Sequence, residues 1–242
     1  MSIFKAAVLV SALFPVALFS ISAMAQGALP SEERIAQLKS EIRKIANERM
    51  MDTPAEFAQT RAALDPLVNE LRTAYNVPLA KDQLTSLAGS WRQLWSDDSD
   101  GDNDFAKSDR GSVFQVVSDK GWFYNVSDVI SPLTRPLGFL RGEYTPNGER
   151  FDIQFTKVSV RLSKLGLTEN VPALVNNVEA GTTWTIVAPG GGRYPNGPVG
   201  VKGYFTNIYI DDDFRIVTGR NETYNTDLLR MYILDKADAL SN

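Results

Sequence analysis

The apolar positions of this chain run first at a helical period and then at a strand period. From Ser31 to Met51, Ile35, Leu38, Ile42 and Ile45 fall at spacings of three, four and three and line one stripe. Ser31 can cap that helix, Glu32 and Glu33 sit in its positively polarised first turn, and Asp52-Thr53-Pro54 ends it. A second helix is predicted from Pro54 on Phe57, Arg61, Leu64, Val68, Leu71 and Tyr75, with Pro66 expected to kink or split it. Each stripe covers too few heptads for a sustained coiled coil. The pair therefore reads as a helical hairpin that packs on itself or on the remainder of the chain.

From Gly89 the period falls to two. Strands are predicted at Gly89–Trp95, Ser112–Val117, Trp122–Val126, Leu137–Tyr144, Arg150–Leu162 and Thr182–Val187. Ser118–Gly121 and Pro146-Asn147-Gly148 supply hairpin turns. Within Arg150–Leu162 the apolar phase switches: Phe151, Ile153 and Phe155 are odd, whereas Val158, Val160 and Leu162 are even. A bulge near Thr156-Lys157 would do this and would bend the strand. Residues 163–181 form a long connection with one helical turn near Ala173, and a Gly/Pro loop runs to Gly200. The chain closes on a three-strand meander from Tyr204 to Lys236. There Phe214, Ile216 and Thr218 alternate with Asp213, Arg215 and Val217, while Leu229, Met231 and Ile233 share a face opposite Arg230 and Tyr232. That pattern predicts one buried face. Eight or nine antiparallel strands behind a helical lead make a mainly β, α+β chain with enough strands to close a barrel. Aromatic content marks the boundary: residues 26–88 hold two aromatics, Phe57 and Tyr75, and residues 90–242 hold nineteen. The expected organisation is 1–25, a leader; 26–88, a helical lead; and 89–242, a β domain.

The leader is expected because Lys5 precedes an apolar run from Ala6 to Phe19 that ends in Ala23-Met24-Ala25 before Gln26. This is the form of a secretory signal peptide cleaved after Ala25. The unbroken run is short of the ~20 residues a membrane span needs. No Cys follows the small residues, so a lipid-modified N-terminus is not expected. The whole chain carries 25 basic and 29 acidic residues, a net charge of −4, and loss of the leader removes Lys5 and no acid, leaving −5. Such a balance argues against a nucleic-acid partner. The chain is expected to be exported, periplasmic or secreted, with no span after cleavage.

The chain contains no Cys and no His. Disulfides, a Ser-His-Asp triad, a thiolate nucleophile and His-ligated zinc or haem are thereby excluded. Asp, Glu, Lys, Tyr and Ser remain for acid, base or nucleophile work. Ser96–Asp104 is acidic, and Ser96, Asp98, Asp100 and Gly101 match positions one, three, five and six of a calcium loop. Lys107 stands where its bidentate Glu belongs, so a solvated acidic loop is preferred and no metal is expected. Gly192 and Gly197 have the spacing of a phosphate loop, but Pro198 occupies the Lys position, so no nucleotide is expected there. Asp211, Asp212 and Asp213 read as a hairpin tip bonding local backbone, and Arg215 as a structural cation that pairs with a carboxylate or packs over an aromatic. The strand aromatics Trp91, Trp95, Trp122, Tyr124, Phe139, Phe155, Trp184 and Tyr204 divide between core and pocket wall, and alternation alone leaves the division open. Trp91, Trp122, Tyr124, Phe139, Phe155, Trp184 and Tyr204 are the candidate ligand contacts, with Trp122, Tyr124, Phe155 and Trp184 expected to face inward.

Two motifs carry a resemblance. Leu87-Ala88-Gly89-Ser90-Trp91-Arg92-Gln93-Leu94-Trp95 is similar to a Leu-x-Gly-x-Trp followed by an apolar strand. Ile208-Tyr209-Ile210-Asp211-Asp212-Asp213-Phe214-Arg215-Ile216 is similar to Tyr-Leu-Asp-x-x-Leu-Arg-Ile, with Leu229–Leu234 as terminal strand. In this order behind a helical lead, they resemble the plastid-lipid-associated proteins, or plant fibrillins, over roughly residues 34–236. Gly89, Asp211, Asp212 and Arg215 are the motif residues, with structural roles. The resemblance implies a lipocalin-like antiparallel β-barrel and non-enzymatic binding of a lipid, carotenoid or quinone-like molecule, with no cofactor. The bacterial-type leader, the acidic insert Asp97–Asp104 and the loop Gly190–Gly200 depart from that family. The alternative reading is a structural or interaction module of the cell envelope, with a filled barrel and a helical lead that binds membrane or protein. An Asp/Tyr hydrolase or isomerase is a third class, which a buried carboxylate facing a cavity would mark.

Overall fold

The structure is a computed structural model that describes residues 30–48, 54–97, 113–128, 136–162, 170–187, 198–222 and 229–237. Helix α1 spans Glu32–Glu48, and the Ser31 hydroxyl accepts the Arg34 amide at 3.2 Å, closing its first turn. Helix α2 spans Pro54–Ala74 and continues through Pro66, so of the kink or split expected there the split does not occur. The proline deletes one backbone donor. Leu64, Val68 and Leu71 on either side of it are buried and hold the flanking turns in place.

Nine strands come next among the described residues: β1 Gly89–Ser96, β2 Val113–Val117, β3 Trp122–Asp128, β4 Leu137–Asn147, β5 Arg150–Arg161, β6 Ile186–Val187, β7 Lys202–Ile210, β8 Phe214–Asn221 and β9 Arg230–Lys236. All pairings are antiparallel. The order is β4-β3-β2-β1-β9-β8-β7-β5, and β5 pairs back onto β4, so the hydrogen bonding closes into a ring. Strand β6 adds two residues to the edge of β5, less than the predicted Thr182–Val187. On β5, Lys157 pairs with Arg141 and Phe155 with Gly142, leaving Thr156 unmatched. This is the bulge that the change of apolar phase predicts. The single turn expected near Ala173 is a full helix, α4 (Val171–Glu179), whose first turn is capped by Asn170 accepting the Ala173 amide at 3.0 Å.

Three apolar clusters result among the described residues. Leu38 and Ile42 of α1 and Leu64, Val68 and Leu71 of α2 pack on the outer face of β1, β8 and β9 through Trp95, Phe214, Ile216 and Ile233. Each such fully buried aliphatic side chain contributes about 1.5–3 kcal/mol. Helix α4 covers a second outer face, made by Phe114, Val116, Tyr124, Val126 and Phe139. The third cluster lies inside the ring. The meander is therefore buried on both faces rather than one: Phe214 and Ile216 face the helices, and Val217 faces inward. One end of the ring is covered by a short 3-10 helix, Ala80–Gln83, running into α3, Leu84–Leu87. The Ala80 amide donates to the Gly148 carbonyl at 2.8 Å. Sequence reading assigned nothing to this cover. No helix among the described residues is long and apolar enough to cross a membrane.

Candidate functional site

Strand alternation sorts the inner face residue by residue. Val117, Phe123, Tyr144, Phe151, Phe205, Val217 and Leu234 form the inner cluster with Trp91, Ala80 and Leu87. Near the covered end the aromatics are close-packed. Phe151 stacks on Phe205 at 4.8 Å between centroids, Tyr144 meets Phe151 edge-on at 5.6 Å, and Phe123 meets Phe155 at 5.8 Å. Gly142 is required here, because a Cβ on it would lie 2.3 Å from the Phe123 ring.

Against this aromatic layer lies a polar one. Arg215 is wholly buried. Its Nε donates to Asn207 Oδ1 at 2.7 Å and its Nη1 to Gln115 Oε1 at 2.6 Å. Its guanidinium carbon lies 5.1 Å from the Phe205 centroid and 5.8 Å from that of Trp91. Asn207 Nδ2 donates in turn to Gln83 Oε1 at 2.7 Å, Gln83 Nε2 to the Pro78 carbonyl at 2.6 Å, and Gln115 Nε2 to Asn125 Oδ1 at 3.1 Å. Desolvation pushes the Arg215 pKa down to about 9, so the group remains a cation at neutral pH. Lys236 Nζ stands 4.3 Å from the Trp91 centroid and donates to the Ala88 carbonyl at 2.8 Å. Burial first, then the charge of Arg215, lowers its pKa. Gly89 admits this lysine: its φ of 128° suits glycine, and a Cβ there would lie 2.7 Å from Nζ. Among the described residues no Asp or Glu is buried, and no group of three or more Asp and Glu is placed to hold a metal. The arrangement offers hydrogen-bond donors and positive charge.

The seven aromatic candidates separate. Trp91 and Phe155 are on the inner face; Trp91 is fully buried, and its Nε1 donates to the Leu87 carbonyl at 2.9 Å. Trp122, Tyr124 and Phe139 belong to the outer cluster under α4, and the Tyr124 hydroxyl donates to Glu179 Oε2 at 2.7 Å. Trp184 is 71% exposed. Tyr204 is half-buried beneath the Arg150 guanidinium, 4.7 Å from its centroid. The inward placement expected for Trp122, Tyr124 and Trp184 is thus corrected. Alternation shows which residues share a face, but α4 makes the outer face of β2–β4 as apolar as the inner one. The polar layer of Gln83, Gln115, Asn125 and Asn207 was missed. Its sequence signal is a carboxamide at a face-sharing position inside an apolar strand, as at Gln115 in Val113–Val117.

The hairpin tip has a second task. Asp211 Oδ1 accepts the amides of Asp213 at 3.1 Å and Phe214 at 2.9 Å, the local backbone bonding that sequence predicts. Its Oδ2 also accepts the Tyr209 hydroxyl at 2.6 Å and Lys39 Nζ of α1 at 2.7 Å. Lys39 pairs with Asp213 as well, and Arg43 donates to Asp213 Oδ2 at 3.0 Å and to Asp235 Oδ1 at 2.7 Å. Asp212 is exposed. Of the acidic segment only Ser96 and Asp97 are described: Asp97 accepts the Met231 amide at 2.6 Å and pairs with Arg61, fastening α2 to β9. The remaining calcium-loop positions, the glycine loop through Gly197 and the leader lie outside the described residues.

In comparison with known families the chain matches the PAP_fibrillin family over residues 47–225. No curated protein and no solved structure matches the chain.

Proposed function

We propose a function on one premise: this chain belongs to the PAP_fibrillin family. Membership points to a lipid-associated protein. Our reading is that the ring is a lipocalin-like barrel which holds an apolar small molecule or lipid tail without chemically changing it. The observation that carries the reading is the return pairing of β5 onto β4, which gives the strands a common inner face. A ring of about eight strands has room for one small ligand. That inner face combines an aromatic wall, including Phe155, with a few polar groups, the usual composition of a ligand site. Export with cleavage after Ala25 belongs to the same reading, and N-terminal sequencing of the mature protein tests it.

A second reading keeps the ring filled and makes the protein an envelope interaction module. The Phe151–Phe205 stack and the Phe123 ring over Gly142 favour it at the covered end. Extraction and mass spectrometry of whatever co-purifies, with titration of a fluorescent fatty acid, decides between the two. Stoichiometric apolar material and saturable binding support the barrel site. Empty protein that binds no apolar probe favours the filled module.

A further inference from the structure

Arg215 has a feature that its structural partners leave unexplained. Its Nε and Nη1 are satisfied by the neutral oxygens of Asn207 and Gln115, yet Nη2 has no partner among the described residues while the residue is 0% exposed. A buried cation without a counter-charge gives up its hydration with nothing to offset it. Two carboxamide oxygens satisfy donors but leave the charge uncompensated, and a neutral side chain would serve Asn207 and Gln115 as well. Lys236 brings a second cation to the same indole, 4.3 Å from the Trp91 centroid. No carboxylate is buried among the described residues. On the same inner face of β3 as Asn125, the Ser127 hydroxyl is also buried without a partner among the described residues. The inner polar layer is thus positive overall, and one guanidinium nitrogen in it lacks an acceptor among the described residues.

We propose that Arg215 is the anchor for an anionic head: the ring takes an amphiphile whose carboxylate or phosphate oxygens complete the guanidinium beside Gln115 and Asn207. The planar guanidinium fork matches two oxygens of such a group, and charge-assisted bonds in a site shielded from water are about twice as strong as neutral ones. The head lies on the polar layer, and the tail occupies the remainder of the inner face. This inference rests on the barrel-site reading and gives it a ligand class: apolar tails with an oxyanion, in preference to neutral carotenoids, quinones or sterols.

The test compares four probes of equal chain length, palmitate, methyl palmitate, hexadecanol and hexadecyl phosphate, on the full mature chain by competition with a fluorescent probe. Palmitate or hexadecyl phosphate is expected to bind at least tenfold more tightly than methyl palmitate and hexadecanol, and the better of the two acids identifies the head. In Arg215→Met that preference is expected to fall to about onefold while hexadecanol still binds; in Arg215→Lys part of it is retained. Equal binding of all four probes to the wild type, or an undiminished acid preference in folded Arg215→Met, overturns the anchor and leaves the barrel site standing. Binding of none of the four overturns both. If both variants fail to fold, the wild-type comparison of palmitate with its methyl ester still decides.

Discussion

Lys39 of α1 donates to Asp211 of the β7–β8 hairpin at 2.7 Å, joining residues 172 positions apart. The helical lead is fixed to the ring at this point by charge as well as by apolar packing. Both partners are partly screened from water, at 14% and 31% side-chain exposure. Lys39→Met is therefore expected to cost about 1–2 kcal/mol. Asp211→Ala, which also removes two turn hydrogen bonds and the Tyr209 contact, should cost about 2–3 kcal/mol. Asp212→Ala should stay within about 0.5 kcal/mol. Urea unfolding of the three variants measures the order; equal costs for Asp211→Ala and Asp212→Ala would contradict it.

Asp213 makes the same junction sensitive to acid. Burial alone would raise its pKa, but the hydrogen bonds with Lys39, then with Asp211, then with Arg43 outweigh it and hold it at about 2, below its ordinary 3.8. A depressed carboxylate stabilises the fold above its unfolded-state pKa and loses that contribution as pH falls through the folded one. The difference in melting temperature between wild type and Asp213→Asn should be largest at neutral pH and should shrink between about pH 4 and pH 2. Melting curves across that range check it, and a difference that grows on acidification has the wrong sign.

Trp91→Ala should destabilise the protein by about 3–5 kcal/mol. The indole is fully buried beside two cations, and its loss also leaves the Leu87 carbonyl of the covered end without its donor. Denaturant unfolding reads the effect, and an unchanged midpoint would remove Trp91 from the core.

Gly142→Ala should cost about 1–3 kcal/mol through overpacking, since its Cβ would meet the Phe123 ring at 2.3 Å. Phe123→Leu in the same chain should recover part of that loss. A double-mutant cycle on melting data measures the coupling; strict additivity would mean the two residues do not meet.

The two faces of the ring make a contrast in binding. Phe155→Ala alters the inner wall, whereas Trp122→Ala alters the outer cluster under α4. At equal folded concentration, Phe155→Ala is expected to weaken a fluorescent fatty acid about tenfold, roughly 1.4 kcal/mol, and Trp122→Ala to leave it near wild type. The reverse ranking would place the ligand beneath α4.

Much of the fold was written in local patterns. The stripe of α1, the Ser31 cap, the phase change on β5 and the Asp211 turn each depend on neighbours in sequence, whose periodicity follows from 3.6 and 2 residues per repeat. The motifs around Trp91 and Asp211–Arg215 likewise carried the family. Other features depended on what arrives from elsewhere in the chain. Trp122 and Phe123 are adjacent, apolar and both on β3. Only the arrival of α4 against one face, and of Phe151 and Phe155 against the other, decides that Phe123 is inside and Trp122 outside. Arg215 read as a structural cation whose partner the sequence could not name. Tertiary structure supplied amide oxygens and two aromatic faces in place of a carboxylate. A strand pattern records that a side chain is shielded from water, but the charge of whatever shields it is set by residues 100 or more positions away, as Gln115 is from Arg215.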